Sequence, residues 1–493
     1  MNTANTQSSV EQHSLKLDHL EAYVQSIMDK WDIPGLSLAI VKDGKPVVVK
    51  GYGTKEAGKD LPVDQNTLFP ISAGTSMFTA SALALLVAEG QLSWDDRLTD
   101  LLPGFRTGSA LINEQATVID ALAQRIGLPA EYRVCFPSPN LSRADLLNKL
   151  RVITDPTGFR TGQGSSFLLT MAAGEIIPAL TDHSWDDYVQ QRLFKPLGMT
   201  DSVTGPHLLH NLSGNNVATP HDQIGDQRVT VPHTQSHNVG PALSAYSSAA
   251  DMAKWLQFQL DNGKVGEQEL IPQQQMDDMR KIHLAQTIGL KGFVPELSGY
   301  GLGALALTSH TGYRVYCTGG DMEGTESFFG FVPELKLGIA VMINAHEPIP
   351  HGLLPWIIDR YTGATDRDWI AEIIDRSYTR QSTRKRTLDQ QRAQLTRPEQ
   401  VPSLPLEDYV GVYHHPYLGD LSIRQEKEML IYTLSDIWEG ELPHCNHNTF
   451  FREPIKPHFH RVQFRGPLRF NLSIEGDVES LTIDKEDFVN SGF

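Results

Sequence analysis

The sequence predicts a mixed α/β (α+β) chain that ends in a smaller all-β domain, and three stretches carry that prediction. Near the start, an amphipathic helix, two short apolar strands and a second, longer helix follow one another. Further on, YRVYCTGGDMEGTESFFGFVPELKLGIAVMIN reads as an apolar strand, a glycine-rich turn and two more strands. From Pro405 onward, short alternating strands are separated by turn residues, the pattern of a small antiparallel barrel or sandwich. At 493 residues, 40% hydrophobic and 20% charged, the chain can bury a full core in two or more domains.

Leu15 to Trp31 is the first helix, and Ile33-Pro34-Gly35 turns it into the strand LSLAIV. The turn Lys42-Asp43-Gly44-Lys45 leads to the second strand, PVVVKGYG. Asp64 to Pro70 bridges into Leu68–Gly90, where small polar residues at Ser72 to Ser76 precede Phe78, Leu83, Leu86 and Val87 at helical spacing; Gly90 ends the helix. Ser184 to Met199 is a helix packed by Trp185, Tyr188, Val189, Leu193 and Phe194. Arg376 to Arg397 is charged and free of glycine, a solvated helix or linker with a basic run at Arg384-Lys385-Arg386.

A net charge of −17 argues against nucleic acid or an anionic membrane as partner, because either requires a basic face. The N-terminal residues carry no charged and then apolar leader pattern, and no later stretch reaches the length of a membrane span, which points to the cytoplasm. Cys135, Cys317 and Cys445 lie far apart without C-x-x-C spacing, so neither a disulfide framework nor a zinc site is expected. The histidines are scattered apart from local pairs such as His233 with His237 and His414 with His415, and H-E-x-x-H is absent. No metal and no cofactor is therefore expected. His444, His447, His458 and His460 read as solvated strand-edge residues.

Phe69, Ile71, Phe78, Thr79, Ala80, Leu86, Val87, Glu89, Gly90, Leu92, Asp95 and Asp96 stand in step with F-R-I-G-S-x-x-K-x-F-T-A and the L-V-x-E-G-x-L-x-x-D-D that follows it. In this the chain resembles the serine beta-lactamase and penicillin-binding-protein-like hydrolases, including class C-type esterases and D-aminopeptidase-like enzymes. The resemblance implies an antiparallel sheet flanked by helices, a helical subdomain and an accessory C-terminal domain. It extends to Leu92–Phe105 and Thr117–Pro129, to Phe159–Glu175, to Ser184–Met199, and to Asn216–Trp255 with its V-A-T-P-H. The implied division is 1–380 for the beta-lactamase-like domain, with the helical subdomain at roughly 92–200, then 381–404 as a charged linker or helix and 405–493 as the β domain.

The register puts Ala73 where the family has its nucleophilic serine and Ser76 where it has the lysine that takes the hydroxyl proton. Ser165 replaces the tyrosine that shuttles a proton, Phe167 the substrate-holding asparagine, and Cys317-Thr318-Gly319 the H-x-G or K-T-G of the active-site strand. Leu243-Ser244 stands for a small pair, Tyr246 enlarges its position, and His237 stands where a carboxylate is expected. Ala73, Ser76, Ser165, Phe167 and Cys317 together remove acyl-enzyme chemistry.

The family's oxyanion hole uses main-chain N–H groups, here of Ala73 and of a residue near Gly319 or Gly320, and those survive side-chain loss. The first expectation is thus an enzyme that binds a small, largely apolar carbonyl compound and performs non-covalent proton transfer as an isomerase, lyase or cyclase, with specialised metabolism as a natural home. Its candidate acids and bases are Tyr246, His237, Cys317, Asp321 and Glu323, with Ser76 and Ser165 as donors. Ser72, Ala73, Phe167, Leu243, Thr318, Gly319 and Gly320 line the substrate site. The alternatives are a non-catalytic ligand-binding or regulatory protein, and a hydrolase using Ser72 or Ser76 as a displaced serine.

Overall fold

The computed structural model describes residues 20–128, 140–154, 158–162, 166–211, 216–224, 227–364, 367–397, 399–434, 438–455, 465–483 and 486–491. The chain divides into two compact units, Met1–Val134 with Ile153–Ile374 and Cys135–Val152 with Asp375–Phe493.

The first unit is organised by an eight-stranded antiparallel sheet. Its strands are β1 (Gly35–Lys42), β2 (Lys45–Gly53), β5 (Leu284–Ala285), β6 (Gly299–Tyr300), β7 (Leu305–Thr308), β8 (Arg314–Met322), β9 (Thr325–Val332) and β10 (Leu337–Ile343). A separate two-stranded ribbon pairs β3 (Phe69–Pro70) with β4 (Tyr246–Ser247). The sheet order is β2-β1-β10-β9-β8-β7-β6-β5, so the N-terminal hairpin is inserted beside the last strand of the unit. That hairpin closes through Asp43 and Gly44, both at positive φ, which matches the twist of the paired strands.

Around the sheet lie helices α1 (Leu20–Lys30), α2 (Thr75–Ala88), α3 (Val118–Leu122), α4 (Phe167–Gly174), α5 (Gly240–Leu243), α6 (Ala249–Leu260), α7 (Gln273–Arg280) and α8 (Ile349–Thr362), with the first residues of α9 (Trp369–Leu395), which belongs to the second unit from Asp375 onward. Leu20, Val24, Ile27 and Met28 of α1 fall on one helical face and join Leu36, Leu38, Ile40, Phe328, Leu353 and Ile357 in one core cluster. The opposite face of the sheet takes α6. Gly338 allows this, since a Cβ there would lie 2.9 Å from Leu256 Cβ.

Helix α2 is buried almost all round, which explains its apolar and alanine-rich sequence. Phe78 meets Phe194 and Trp255 edge-on at 4.9 and 4.6 Å between ring centroids. Trp185 Nε1 donates to Thr79 Oγ1 at 3.0 Å, and that hydroxyl donates to Pro241 O at 2.6 Å. In the helical region, fully buried Asp120 caps its own helix through Thr117. It also pairs with Arg125 at 2.5 Å and Arg160 at 2.7 Å. A carboxylate held by two guanidiniums fixes the segment that runs toward α4.

The second unit contains β11 (Gly411–His415), β12 (Gly419–Glu426), β13 (Met429–Leu434), β14 (Trp438–Leu442), β15 (His444–Asn446), β16 (Thr449–Pro454), β17 (Gly466–Leu472), β18 (Val478–Ile483) and β19 (Glu486–Asn490). They pair in the order β14-β13-β12-β11-β19-β18-β17-β16, and β14 also pairs with β16, so eight strands close into a barrel with β15 added beside β16. Closure removes the free edges that an open sheet presents. Its core holds Tyr409, Tyr413, Leu421, Trp438, Phe450, Phe470 and Phe488. The short helix Arg143–Lys149, capped by Ser142 and Asp145, belongs to this unit, and Lys149 Nζ donates to Tyr417 O at 2.9 Å. The basic run Arg384-Lys385-Arg386 lies on the exposed part of α9. His444 and His447 sit at β15 and its turn; His458 and His460 fall outside the described residues.

Candidate active site

The site grows from the junction between β3 and α2. Ile71 N–H donates to Ala245 O at 2.9 Å, so the β3–β4 ribbon delivers the chain into a 3₁₀ turn, Ser72–Gly74. Ser72 has φ +49°, a left-handed conformation that a side chain makes costly, and it is held there by both of its ends. Its Oγ donates to Asp321 O at 3.0 Å, and its carbonyl accepts from Thr75 Oγ1 at 2.8 Å. Thr75 Oγ1 in turn accepts from Ala245 N–H at 3.1 Å. Gly74 is required next because the Phe329 ring occupies the space a Cβ would take.

The other wall is β8. Gly319, at φ +144°, passes so close to β9 that a Cβ would collide with Phe328 Cα at 2.7 Å. At Gly320 a Cβ would sit 3.5 Å from Ser72 Oγ and 3.8 Å from Ala73 Cβ, so this glycine faces the turn at contact distance. Thr318 Oγ1 reaches toward Ala73 O at 3.4 Å. Ala73, Ser76, Gly319 and Gly320 are all partly exposed, and Ser72 is buried.

Seven of the expected residues are thus brought together: Ser72, Ala73, Ser76, Thr318, Gly319, Gly320 and, through its main chain, Asp321. Ser76 occupies the lysine position, and its hydroxyl is turned on carbonyl oxygens, those of Ala73 and, at 3.1 Å, Gly303. Among the described residues neither Ser72 nor Ser76 donates to a basic side chain; the partners of both hydroxyls are main-chain carbonyls.

Three expected acid–base groups are placed elsewhere. Cys317 precedes Thr318 on β8, so its side chain points to the opposite face of the sheet. It is wholly buried among Leu36, Phe328 and Leu353, and burial pushes its thiol up, which corrects its assignment to the cleft. Asp321 pairs across the strands with Glu326, and their carboxylates meet histidines on that same opposite face. Asp321 Oδ2 lies 3.4 Å from His346 Nε2 and Glu326 Oε1 lies 3.1 Å from His351 Nδ1. Asp321 thus serves the site with its carbonyl and not with its carboxylate. Tyr246 is buried among Leu68, Val203 and Val217, with its hydroxyl 3.1 Å from His233 Nδ1. Burial raises the phenol and lowers the His233 imidazole, so both are neutral near pH 7.

The remaining candidates surround this centre less tightly. Phe167 is the first residue of α4 and half-buried, behind the Ser166 cap. Leu243 is buried in α5, whose next residue, Ser244, donates to Ser236 O at 2.6 Å. His237 is half-buried with its ring 6.2 Å from that of His207, and Glu323 accepts from Thr234 Oγ1. Ser165 lies outside the described residues. Reasoning from sequence missed His346, His351 and Glu326: the cross-strand register sets Glu326 opposite Asp321, and His346, after β10, and His351, on α8, meet those carboxylates by tertiary packing that a single sequence does not show. Among the described residues no cluster of three or more His, Cys, Asp or Glu is arranged to hold a metal, and no helix is long and apolar enough to cross a membrane.

With this fold and this site, the chain belongs to the beta-lactamase family, whose model matches residues 20–363; a second model, Domain of unknown function (DUF3471), matches residues 395–491. Among curated proteins, Protein flp of Staphylococcus aureus (strain MRSA252) is 27% identical over 343 residues, 66% of this chain and 63% of that protein. The chain thus spans about 63% of the length of the staphylococcal relatives it matches. Unguisins hydrolase ungD of Aspergillus violaceofuscus is 23% identical over 446 residues, 84% of this chain and 78% of that protein. In structure, the octameric penicillin-binding protein homologue from Pyrococcus abyssi superimposes with a TM-score of 0.62 at 18% identity, covering 96% of this chain and all of that one, which concerns the fold.

Proposed function

We propose that this beta-lactamase-family protein binds a small, largely apolar carbonyl compound in the family's cleft and acts on it by non-covalent acid–base chemistry, as an isomerase, lyase or cyclase. The observation that carries the reading is the left-handed turn at Ser72, pinned on both sides, that brings Ala73 against Gly320 although residue 73 has nothing to attack with. Backbone strain of this kind costs about 1–3 kcal/mol and persists where the surroundings over-determine it, most often at functional sites. Ala73 and a residue near Gly319 or Gly320 stand where main-chain N–H groups serve the family's oxyanion hole, and such donors stabilise an enolate as readily as a tetrahedral intermediate. His237 and Glu323 are the half-exposed acid–base candidates.

The test uses metabolite extract from a strain lacking the gene, incubated with purified protein and followed by mass spectrometry of both. A small molecule should be converted with no adduct on the protein. Gly320→Ala should keep turnover, because its Cβ fits at ordinary contact distance, and Gly320→Leu should abolish it by filling the space before Ala73. Stoichiometric acylation of Ser72 or Ser76 would restore the hydrolase reading. Retention of a compound without turnover would instead indicate a ligand-binding protein.

A further inference from the structure

A second polar centre lies on the same sheet face, one turn further along α2. A small void there is lined by Met77, Ser81, Gln259, Arg280, Leu302 and Tyr316, among others. Arg280 ends α7, and its guanidinium is largely withdrawn from water, which pushes its pKa down. Its donors go to neutral oxygens: Nη1 to Asn262 Oδ1 at 2.7 Å, and Nη2 to Gln259 O. Among the described residues its Nε is buried with no hydrogen-bond partner. The guanidinium carbon lies 4.9 Å from the centre of the Phe331 ring and 5.9 Å from that of Tyr316, contacts that suit a cation but do not neutralise it.

Gln259 is 2% exposed, and its Nε2 has no partner either. Ser81, on α2, is 1% exposed and contributes a hydroxyl to the same lining. Two orphaned donors, a hydroxyl and a buried positive charge with no carboxylate bonded to it converge on one small, mostly apolar space. Asp277, on the same helix, acts on the guanidinium through space and less strongly than burial does. A water would accept hydrogen bonds there but add no compensating charge; a monovalent anion does both.

We propose that Arg280 Nε, Gln259 and Ser81 form a binding site for a small monovalent inorganic anion of about the size of chloride. The anion joins three helices, α2 at Ser81, the end of α6 at Gln259 and the end of α7 at Arg280, beside the turn between β6 and β7. That turn is already tied to α7 by Leu302 N–H donating to Met279 O at 2.8 Å, and it presents Gly303 O to Ser76. The site is therefore stabilising for the wall behind Ser76, and it does not depend on what the cleft binds.

Bromide is the probe. Thermal unfolding is followed in sodium bromide, chloride and gluconate at equal ionic strength, and crystals soaked in bromide are examined for anomalous scattering. Bromide and chloride should raise the melting temperature by a few degrees in a saturable way relative to gluconate. An anomalous peak should appear within about 3.5 Å of Arg280 Nε. Arg280→Met and Gln259→Leu should each remove the salt-specific shift. Equal melting temperatures in the three salts, an undiminished shift in Arg280→Met, or a water without anomalous signal at Nε would overturn the proposal.

Discussion

His221 illustrates how a single side chain ties folding to pH. It is fully buried, its Nδ1 lies 2.9 Å from Asn344 O, and its Nε2 accepts from Ala57 N–H at 3.0 Å. Those partners require a neutral ring with the proton on Nδ1, and burial, the largest influence, lowers its pKa below the ordinary 6.5. The unfolded chain binds the extra proton first. The stabilisation is therefore complete above about pH 6.5 and is lost as pH falls from there through the folded-state value, with a slope of at most about 1.4 kcal/mol per pH unit. His233 and His283 are lowered by burial too and add to this acid limb, whereas burial raises Glu326 and opposes it. His221→Gln should cost stability near pH 8 yet flatten the limb between about pH 6.5 and 5, measured as urea unfolding across that range. An unchanged limb in the variant would place the titration elsewhere.

Single elements decide what was legible and what was not. The start and end of α2 follow from sequence because small polar residues, an apolar helical period and Gly90 all agree; so does the Asp43-Gly44 hairpin. The phase of β8 does not. Cys317 and Thr318 are adjacent, and only the register Cys317↔Gly330 and Thr318↔Phe329 settles which of them faces Ala73. The same ambiguity, together with tertiary packing, hid the Asp321–His346 and Glu326–His351 pairs. Tyr246 misled for a different reason: its two-residue strand pairs with β3, and packing against Leu68 and Val203 claims its ring for the core. At the start of α2, Ala73→Ser should fold normally and leave esterase turnover at background with p-nitrophenyl acetate. The new hydroxyl would find the Ser76 hydroxyl committed to backbone carbonyls and no lysine at that position, and catalytic groups that act as a unit do not contribute singly. Substantial turnover from the single change would reveal a base beside residue 73.

At the scale of the molecule, the two units have separate hydrophobic cores, one built on the eight-stranded sheet and one inside the closed barrel. The antiparallel C-terminal domain was legible because its strands alternate and its turns are marked. Its recruitment of residues from the middle of the chain was not, since nothing local in Arg143–Lys149 signals a partner more than 260 residues away. Lys149 supplies the link: its ammonium donates to the carbonyls of Pro416 and Tyr417, separated from it by 267 and 268 positions. Cooperativity follows shared cores, so two distinct cores should unfold as two calorimetric transitions. Lys149→Met should lower one of the two transitions and leave the other in place, because it removes a donor from the barrel unit alone and leaves two carbonyls in need of another partner. Cleavage of the chain within residues 375–395 should leave both transitions visible. A single transition that moves as a whole in Lys149→Met would mean that the barrel and the beta-lactamase-family unit fold as one.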